Sequence, residues 1–453
     1  MLSIGHWIGI AAAIAAVFIA LSRAARATRH SVDGFSVGGR EASPWLVAGA
    51  LVGTMIGGSA TIGTAQAAVN IGFSAWWFTC GATLGFLLLA WCYAGPLRRS
   101  GLRTVAEYMA SCYGPAAGIL TSAVSVLGIF FSLVSSGLAG IHFMQFILPV
   151  SREVATLLLL ITVVIYVLAG GIKGTAVSGL VKTVLLYTTL CWAGCIAYTL
   201  IADRPLDPAF FPATLADGND FISNALSVII GAVVTQSYAQ AVYSARDTRS
   251  AVRGSLLAAA LCAPIGLPLI LIGLSVGQLY PTVDPVQALP HFLLHYLPPV
   301  IAGIALGSLF LAIIGSIAGL SLGAATSVAV DIVAGGWGLR HDRIVLTVLR
   351  GSLVIITTAA FGVSLYYYHS QLLYWNFLSF ALRGAGVFFP FLLAILYQQR
   401  FAHTHINANI AVSTLLAVMA AVTDSVPLNP LYLGMSISAL WLVAESLLLN
   451  RRS

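Results

Sequence analysis

The chain of 453 residues is 59% hydrophobic and 8% charged, with 21 Lys and Arg against 14 acids and a formal net charge of +7. Soluble domains carry about 25% charged residues, so this composition excludes a water-soluble globular protein. It reads as an all-α polytopic membrane protein. The basic residues are spread over loops, which argues against a nucleic-acid partner.

Thirteen apolar stretches follow along the chain, at roughly 4–22, 44–68, 73–95, 115–148, 154–171, 176–202, 223–243, 253–278, 298–333, 343–368, 372–397, 408–424 and 429–449, where a crossing needs about 20 residues. The first lacks a basic leader and is followed by Arg23, Arg26 and Arg29, so it reads as a retained helix rather than a signal peptide. The second holds Thr54, Gly57, Gly58, Ser59, Thr61, Thr64 and Gln66. Leu46 to Ile56 is too short to cross alone, and the run continues past the glycines with small and polar residues. Unwound backbone at membrane depth is tolerated only where protein or a watery cavity satisfies it, and transporters build their sites on such breaks. The expectation is a helix broken near Gly57-Gly58.

Positive charge sets the orientation. With the N-terminus outside, inside loops carry Arg23, Arg26, Arg29, Arg40, Arg98, Arg99, Arg103, Lys173, Arg246, Arg249, Arg253, Arg340, Arg343, Arg400, Arg451 and Arg452, and outside loops only Arg152 and Arg204. The expected location is therefore the plasma (inner) membrane, with the C-terminus cytoplasmic. Cys80, Cys92, Cys112, Cys191, Cys195 and Cys262 fall in spans or on the inner side, so neither disulfides nor a metal site is expected.

Arg383 lies near the middle of span 372–397. A central arginine costs roughly 2.5–3.5 kcal/mol on insertion scales, so it should face a cavity or partner. Its guanidinium suits a carboxylate or other anion, and a carbonyl-rich helix end is the structural alternative. Asn376 shares its face. Ser59, Thr61 and Gln66 beside the break, Gln236 and Ser237 in the seventh span, and Ser135, Ser136, His142 and Gln145 in the fourth are further solute candidates. His142 alone is more often a hydrogen-bonded core residue, and Trp76-Trp77-Phe78 reads as an interfacial belt. Glu445 reads as a structural residue at a helix end or on the lipid face. With no acidic side chain in the proposed pocket, a small neutral or anionic organic solute is expected. His403-Thr404-His405 lacks a third ligand and no acid–base pair converges, so no enzyme is expected.

Several segments, taken together, resemble the sodium:solute symporter family. Asp33-Gly34-Phe35-Ser36-Val37-Gly38-Gly39-Arg40 is similar to its Asp-Phe-x-x-Ala-Gly-Arg loop, and Arg103-Thr104-Val105-Ala106-Glu107-Tyr108 with Tyr113-Gly114 to its Thr-x-x-Glu-Tyr element. Gly170-Gly171-Ile172-Lys173-Gly174 resembles the family's Gly-Gly-x-Lys-Ala turn. Ser244-Ala245-Arg246-Asp247 through Arg253-Gly254 resembles the loop after its seventh span. The ninth-span match runs from Asp284, Pro290 and Pro298 through Ala312-Ile313-Ile314-Gly315-Ser316 to Asp331-Ile332.

The resemblance implies a leucine-transporter-type inverted-repeat fold in one integral membrane domain, 1–453. It comprises an extra helix at 4–22, five-helix repeats at 44–202 and 223–397, and two C-terminal helices within 408–449. The first helix of each repeat would be broken, although 223–243 has no central Gly-Gly. The implied function is secondary active transport, with Na+ as coupling ion and no other cofactor. The resemblance places sodium ligands at the carbonyls of Gly53, Ile56 and Ala312 and the hydroxyl of Ser316. Gly315 stands where the family usually has Ser. In the sixth span the family's Thr-Asp-x-x-Gln appears as Ser178-Gly179-Leu180-Val181-Lys182, so a carboxylate is lost and an ammonium gained. Lys182 could snorkel to the interface or place its charge near the ion site, which leaves proton-coupled or sodium-independent transport open. In sugar-transporting relatives an aromatic gate matches Ser237, and its absence weakens a sugar assignment. A membrane sensor acting with a partner is the other alternative. Membrane lipid and a small-molecule solute are the expected partners, and oligomeric state is not readable.

Overall fold

The computed structural model describes residues 2–24, 32–202, 219–339, 341–397, 403–422 and 429–450. Arg26, Arg29, Arg204, Arg340, Arg400, Arg451 and Arg452, which entered the orientation argument, lie outside the described residues, as does the loop 203–218. In chain order the helices are α1 (Ile4–Ala24), α2 (Val32–Val37), α3 (Pro44–Met55), α4 (Thr64–Ile71), α5 (Trp77–Leu88), α6 (Ala94–Ser100), α7 (Val105–Tyr113), α8 (Pro115–Ile147) and α9 (Arg152–Ile201). Then come α10 (Asn219–Val234), α11 (Gln236–Tyr243), α12 (Thr248–Leu279), α13 (Ala288–Tyr296), α14 (Pro299–Thr326), α15 (Asp342–Tyr366), α16 (Leu372–Tyr397), α17 (His403–Val422) and α18 (Pro430–Asn450).

Among the described residues nine helical segments are long and apolar enough to cross a membrane, and the bent pair α10–α11 makes a tenth. Thirteen separate crossings are not resolved on those grounds. The second half of stretch 44–68 runs on with 73–95 as one helical path, 59–100, while α3 alone is short. Stretches 154–171 and 176–202 are joined inside α9 at Gly171 (φ 52°, ψ −154°). A Cβ there would sit 2.9 Å from the Phe35 carbonyl oxygen. Both the backbone conformation and the close approach require glycine.

Local chemistry starts these helices. Ser43 caps α3 ahead of Pro44, its hydroxyl accepting from Leu46 N. Thr104 caps α7, accepting from Glu107 N at 2.8 Å, while Glu107 accepts from Arg103 N at 2.7 Å, a reciprocal pair of the capping-box kind. Asp247 accepts from Ser250 N at 2.6 Å to start α12, and that backbone N–H holds its carboxyl below the usual carboxylate range.

Tight helix pairing is set by glycine rather than by large side chains. A Cβ on Gly303 of α14 would lie 2.2 Å from the His6 carbonyl oxygen of α1, and one on Gly9 2.2 Å from that of Val300. α14 is thereby wrapped by α1, α3, α8, α9 and α15 and is buried along nearly its whole inner length. Large apolar residues left exposed, such as Leu157, Ile161 and Ile165 on α9, Ile355 on α15, Leu415 on α17 and Leu440 on α18, face outward as a hydrocarbon solvent requires.

On the arginine-bearing face two loops pair by backbone alone. Ala42 N donates to the Ser244 carbonyl at 2.9 Å, and Arg246 N to the Ala42 carbonyl at 3.0 Å. This joins the start of the first broken helix to the end of α11.

Candidate functional site

The first broken helix opens where expected. α3 stops at Met55, Ile56 leaves helical geometry (φ −83°, ψ 83°), and a wide turn over Ser59–Gly63 leads into α4. Gly57 N turns back to Met55 O at 3.0 Å instead of bonding to Gly53 O. A Cβ on Gly57 would lie 2.2 Å from Ser316 Cβ, so only glycine lets α14 press against the break. Ser316 Oγ donates to the Thr54 carbonyl at 2.6 Å.

Three departures noted along the sequence meet at this junction. Gly179 of α9 faces Gly49 and Gly53 of α3: a Cβ on Gly179 would stand 2.1 Å from Gly49 O. Backbone contact there brings the next turn of α9 alongside α3 and α14. That turn carries Lys182, 1% exposed. Its Nζ donates to Gly53 O at 2.5 Å and to Ala312 O at 3.1 Å, two of the carbonyls that the resemblance assigns to sodium. The lysine therefore points inward and does not snorkel. Gly315 leaves it room, because a Cβ there would lie 2.8 Å from Nζ.

Beside this junction is a small internal cavity lined by Thr54, Met55, Ser59, Phe78, Ser132, Ser136, Tyr238, Ser316, Leu320, Asn376 and Phe380. Ser135 ties its walls together. Its Oγ donates to the Leu372 carbonyl at 2.5 Å and accepts from Ser59 Oγ at 2.8 Å and Asn376 Nδ2 at 3.0 Å. Sequence reasoning reached Ser59, Ser136 and Asn376 but missed Ser132, Phe78, Phe380 and Tyr238. Ser132 was findable, since it precedes Ser135 and Ser136 by three and four residues and shares their helix face. Phe78 is not part of an interfacial belt: it is 2% exposed and packs edge-on to Phe377 at 5.8 Å. Tyr238, one residue past the position where an aromatic was sought, lines the cavity and donates to Met55 Sδ at 3.0 Å.

Arg383 sits one layer behind that lining, stacked on Phe380 with 4.8 Å to the ring centroid. Nε donates to Ser379 O at 3.0 Å, Nη1 to Thr235 Oγ1 at 2.7 Å, and Nη2 to Ser379 Oγ at 2.8 Å and Ser132 Oγ at 3.3 Å. Every one of these partners is neutral. Gly128 of α8 makes the space, for a Cβ there would lie 2.2 Å from Arg383 Cγ.

The polar residues of the seventh span point to four places. The helix bends by 43° at Thr235, whose hydroxyl meets Arg383. Gln236 accepts from Val105 N at 2.9 Å and donates to Arg103 O at 3.2 Å. It is therefore placed on the arginine-bearing face rather than on the cavity. Gln240 donates to Ser36 O at 2.6 Å, and Ser237 packs on Gly323 of α14. Thr104 Oγ1 donates to Asp331 Oδ1 at 2.6 Å, and Tyr243 donates to Thr104 O at 3.1 Å. These contacts latch α7 against α11 and the end of the ninth span. Thr104→Val removes both the helix cap, about 1 kcal/mol, and the Asp331 bond. The expected result is a lower melting temperature and faster maleimide labelling of Cys112 on α7, read per cysteine by mass spectrometry; unchanged labelling would show that the latch does not hold this face closed.

The other flagged residues have partners within the protein. Thr61 donates back to Gly57 O at 2.8 Å, Gln66 accepts from Leu372 N at 3.2 Å, and Gln145 accepts from the Tyr368 hydroxyl at 2.6 Å. His142 bonds to the Tyr368 carbonyl at 3.0 Å and lies against that ring. Glu445 is neither at a helix end nor lipid-facing: it is 5% exposed and meets His405 Nδ1 at 3.0 Å, because α17 and α18 pack together. Among the described residues no group of three or more His, Cys, Asp or Glu is placed to hold a metal ion.

The whole fold has counterparts among known proteins. The chain superposes on a substrate-bound, outward-open Na+-coupled sialic acid symporter with a TM-score of 0.82 and 16% identity, covering 99% of this chain and 98% of that one. It is 23% identical over 402 residues to the high affinity choline transporter 1 of Homo sapiens, covering 80% of this chain and 66% of that protein. It is also 25% identical over 163 residues to the sodium/glucose cotransporter 4 of Mus musculus, covering 36% of this chain. The matched region spans only 24% of that cotransporter's length. These relatives are transporters, not enzymes. The family model for the sodium:solute symporters matches residues 35–410, and the chain, a multi-pass membrane protein, belongs to the sodium:solute symporter family.

Proposed function

We propose that this chain is a secondary active transporter that carries a small neutral or anionic organic solute across the membrane by alternating access. The observation that carries this reading is the void of about 10 Å³ at the broken helix, walled on its polar side by Thr54, Ser59, Ser132, Ser136, Ser316 and Asn376. Buried hydroxyls and a carboxamide fix a solute's orientation, and Phe78, Tyr238 and Phe380 supply its apolar contacts. Two buried cations, Lys182 and Arg383, flank the cavity, and no carboxylate lines it. That field favours neutral or anionic solutes over cations. Two repeats, 44–202 and 223–397, each opening with a broken helix, would rock against the rest to expose the cavity to either side. The orientation that arginine placement supports is N-terminus outside and C-terminus inside the plasma membrane.

The family supports sodium as a driving ion, for which the resemblance would supply Gly53, Ile56, Ala312 and Ser316 where α3 meets α14. A second reading, proton-coupled or sodium-independent transport, is favoured by the Lys182 ammonium on the carbonyls of Gly53 and Ala312. Proteoliposomes loaded with the full chain and offered a panel of labelled neutral and carboxylated solutes, with sodium and pH gradients imposed separately, test both. Gradient-driven accumulation is expected, with Asn376→Leu raising KM about tenfold, the effect of losing one hydrogen bond of about 1.4 kcal/mol. A transported solute that neither gradient accumulates would end the secondary-active reading.

A further inference from the structure

We propose that Lys182 is the resident cation of the junction between α3, α9 and α14, a tethered ammonium that takes the place of a free sodium ion there. The proposal deepens the transport reading, on which its consequence for uptake rests: solute movement draws on no sodium bound at this junction. The argument rests on three positions that only the fold brings together. Lys182 Nζ stands 2.5 Å from Gly53 O and 3.1 Å from Ala312 O, so one positive charge already receives the carbonyl that the break leaves open on α3 and a second one from α14. Gly179 brings α9 against α3 by backbone contact, with Gly49 O 2.1 Å from where its Cβ would be. Gly315 supplies no hydroxyl and clears the space that the ammonium fills. A second monovalent ion on the same two oxygens would sit at contact distance from the ammonium in a region of low dielectric, where like charges repel strongly. The remaining hydroxyl of the set, on Ser316, donates to Thr54 O, and the junction is closed without an external ion.

An ammonium on an aliphatic stem also differs from an ion in what it can do. It cannot leave with the solute. It keeps the broken helix pinned to α14 through the whole cycle, whereas a free ion would let the two part when it dissociates.

Melting temperatures of the purified full chain in NaCl, KCl and choline chloride at equal ionic strength test the proposal without any transported solute. Lys182→Ala should gain an upward, sodium-specific shift of about 2 °C or more over that of the native chain, and Gly315→Ser added to it should enlarge the gain by restoring a second hydroxyl. A Lys182→Ala chain that responds to sodium no more than the native one overturns the proposal. Should Lys182→Ala fail to fold, Gly315→Ala in the native background decides. Its methyl would meet Nζ at 2.8 Å, a conflict that a loose lysine would relieve by swinging away and a pinned one cannot. A lowered melting temperature is expected, and an unchanged one overturns the proposal. Failure of either test leaves the transport reading intact, since that depends on uptake and not on these shifts.

Discussion

Arg383→Met is expected to fold with a melting temperature equal to or above that of the native chain, while uptake of anionic solutes is lost. The stability half follows from what its partners do without it. Thr235 Oγ1 also donates to Gly231 O at 2.6 Å, and Ser132 Oγ pairs with Ser379 Oγ at 2.6 Å. Ser379 Oγ in turn donates to the Gly128 carbonyl. Removing the guanidinium therefore orphans none of these hydroxyls, and no carboxylate is left unpaired. The desolvation cost of a buried charge is several kcal/mol, and even whole buried ion pairs exchanged for apolar side chains of similar volume are often neutral or stabilising by about 1–4 kcal/mol. Methionine fills most of the same slot on Gly128 and keeps a contact with Phe380. An intramembrane charge kept where the fold does not need it is a functional residue by default. Melting curves and uptake of a carboxylated solute, measured on one preparation, check both halves. A large drop in melting temperature would make Arg383 structural, and retained uptake would remove it from solute recognition.

Gly179→Ala is expected to be among the most damaging single methyls in the core. Its Cβ would stand 2.1 Å from Gly49 O and 3.0 Å from Gly53 Cα. Neither is a side-chain end that can rotate away, so α3 and α9 would have to separate. Overpacking against a side chain costs about 1–3 kcal/mol, and against backbone the upper end or beyond is expected. The same separation draws Lys182 off the Gly53 carbonyl, which joins a packing fault to a charge left without its acceptor. Gly351→Ala on α15 is the control, because a Cβ there meets nothing within 4 Å. The yield of monodisperse protein and its melting temperature read the difference, and equal values for the two variants would discredit the close packing of α3 on α9.

Much of the bundle was legible because apolar runs of helical length need no partner to be recognised. The break at Gly57-Gly58 was legible for the same reason in reverse, as polar and small residues inside a span have few other uses. What stayed hidden was facing. Gly179, Lys182 and Gly315 each read as a departure, two in the sixth span and one in the ninth. Their meeting depends on helix rotation, which periodicity cannot report when every face is apolar. The neighbours Gln236 and Ser237 show the same limit: read together as solute candidates, they diverge in the fold, Gln236 to the 103–105 loop and Ser237 to Gly323 of α14. Phe78 followed two tryptophans and took their interfacial reading, yet it turns inward to the cavity.

The pairing of Ala42 with Ser244 and Arg246 has a consequence for how the family can diverge. Both bonds are made by main-chain groups, so they place no demand on which side chains occupy those loops. The two broken helices are fastened together by a clasp that mutation of side chains alone can scarcely undo. The side chains of both loops can therefore change while the main-chain joint between the two helices persists.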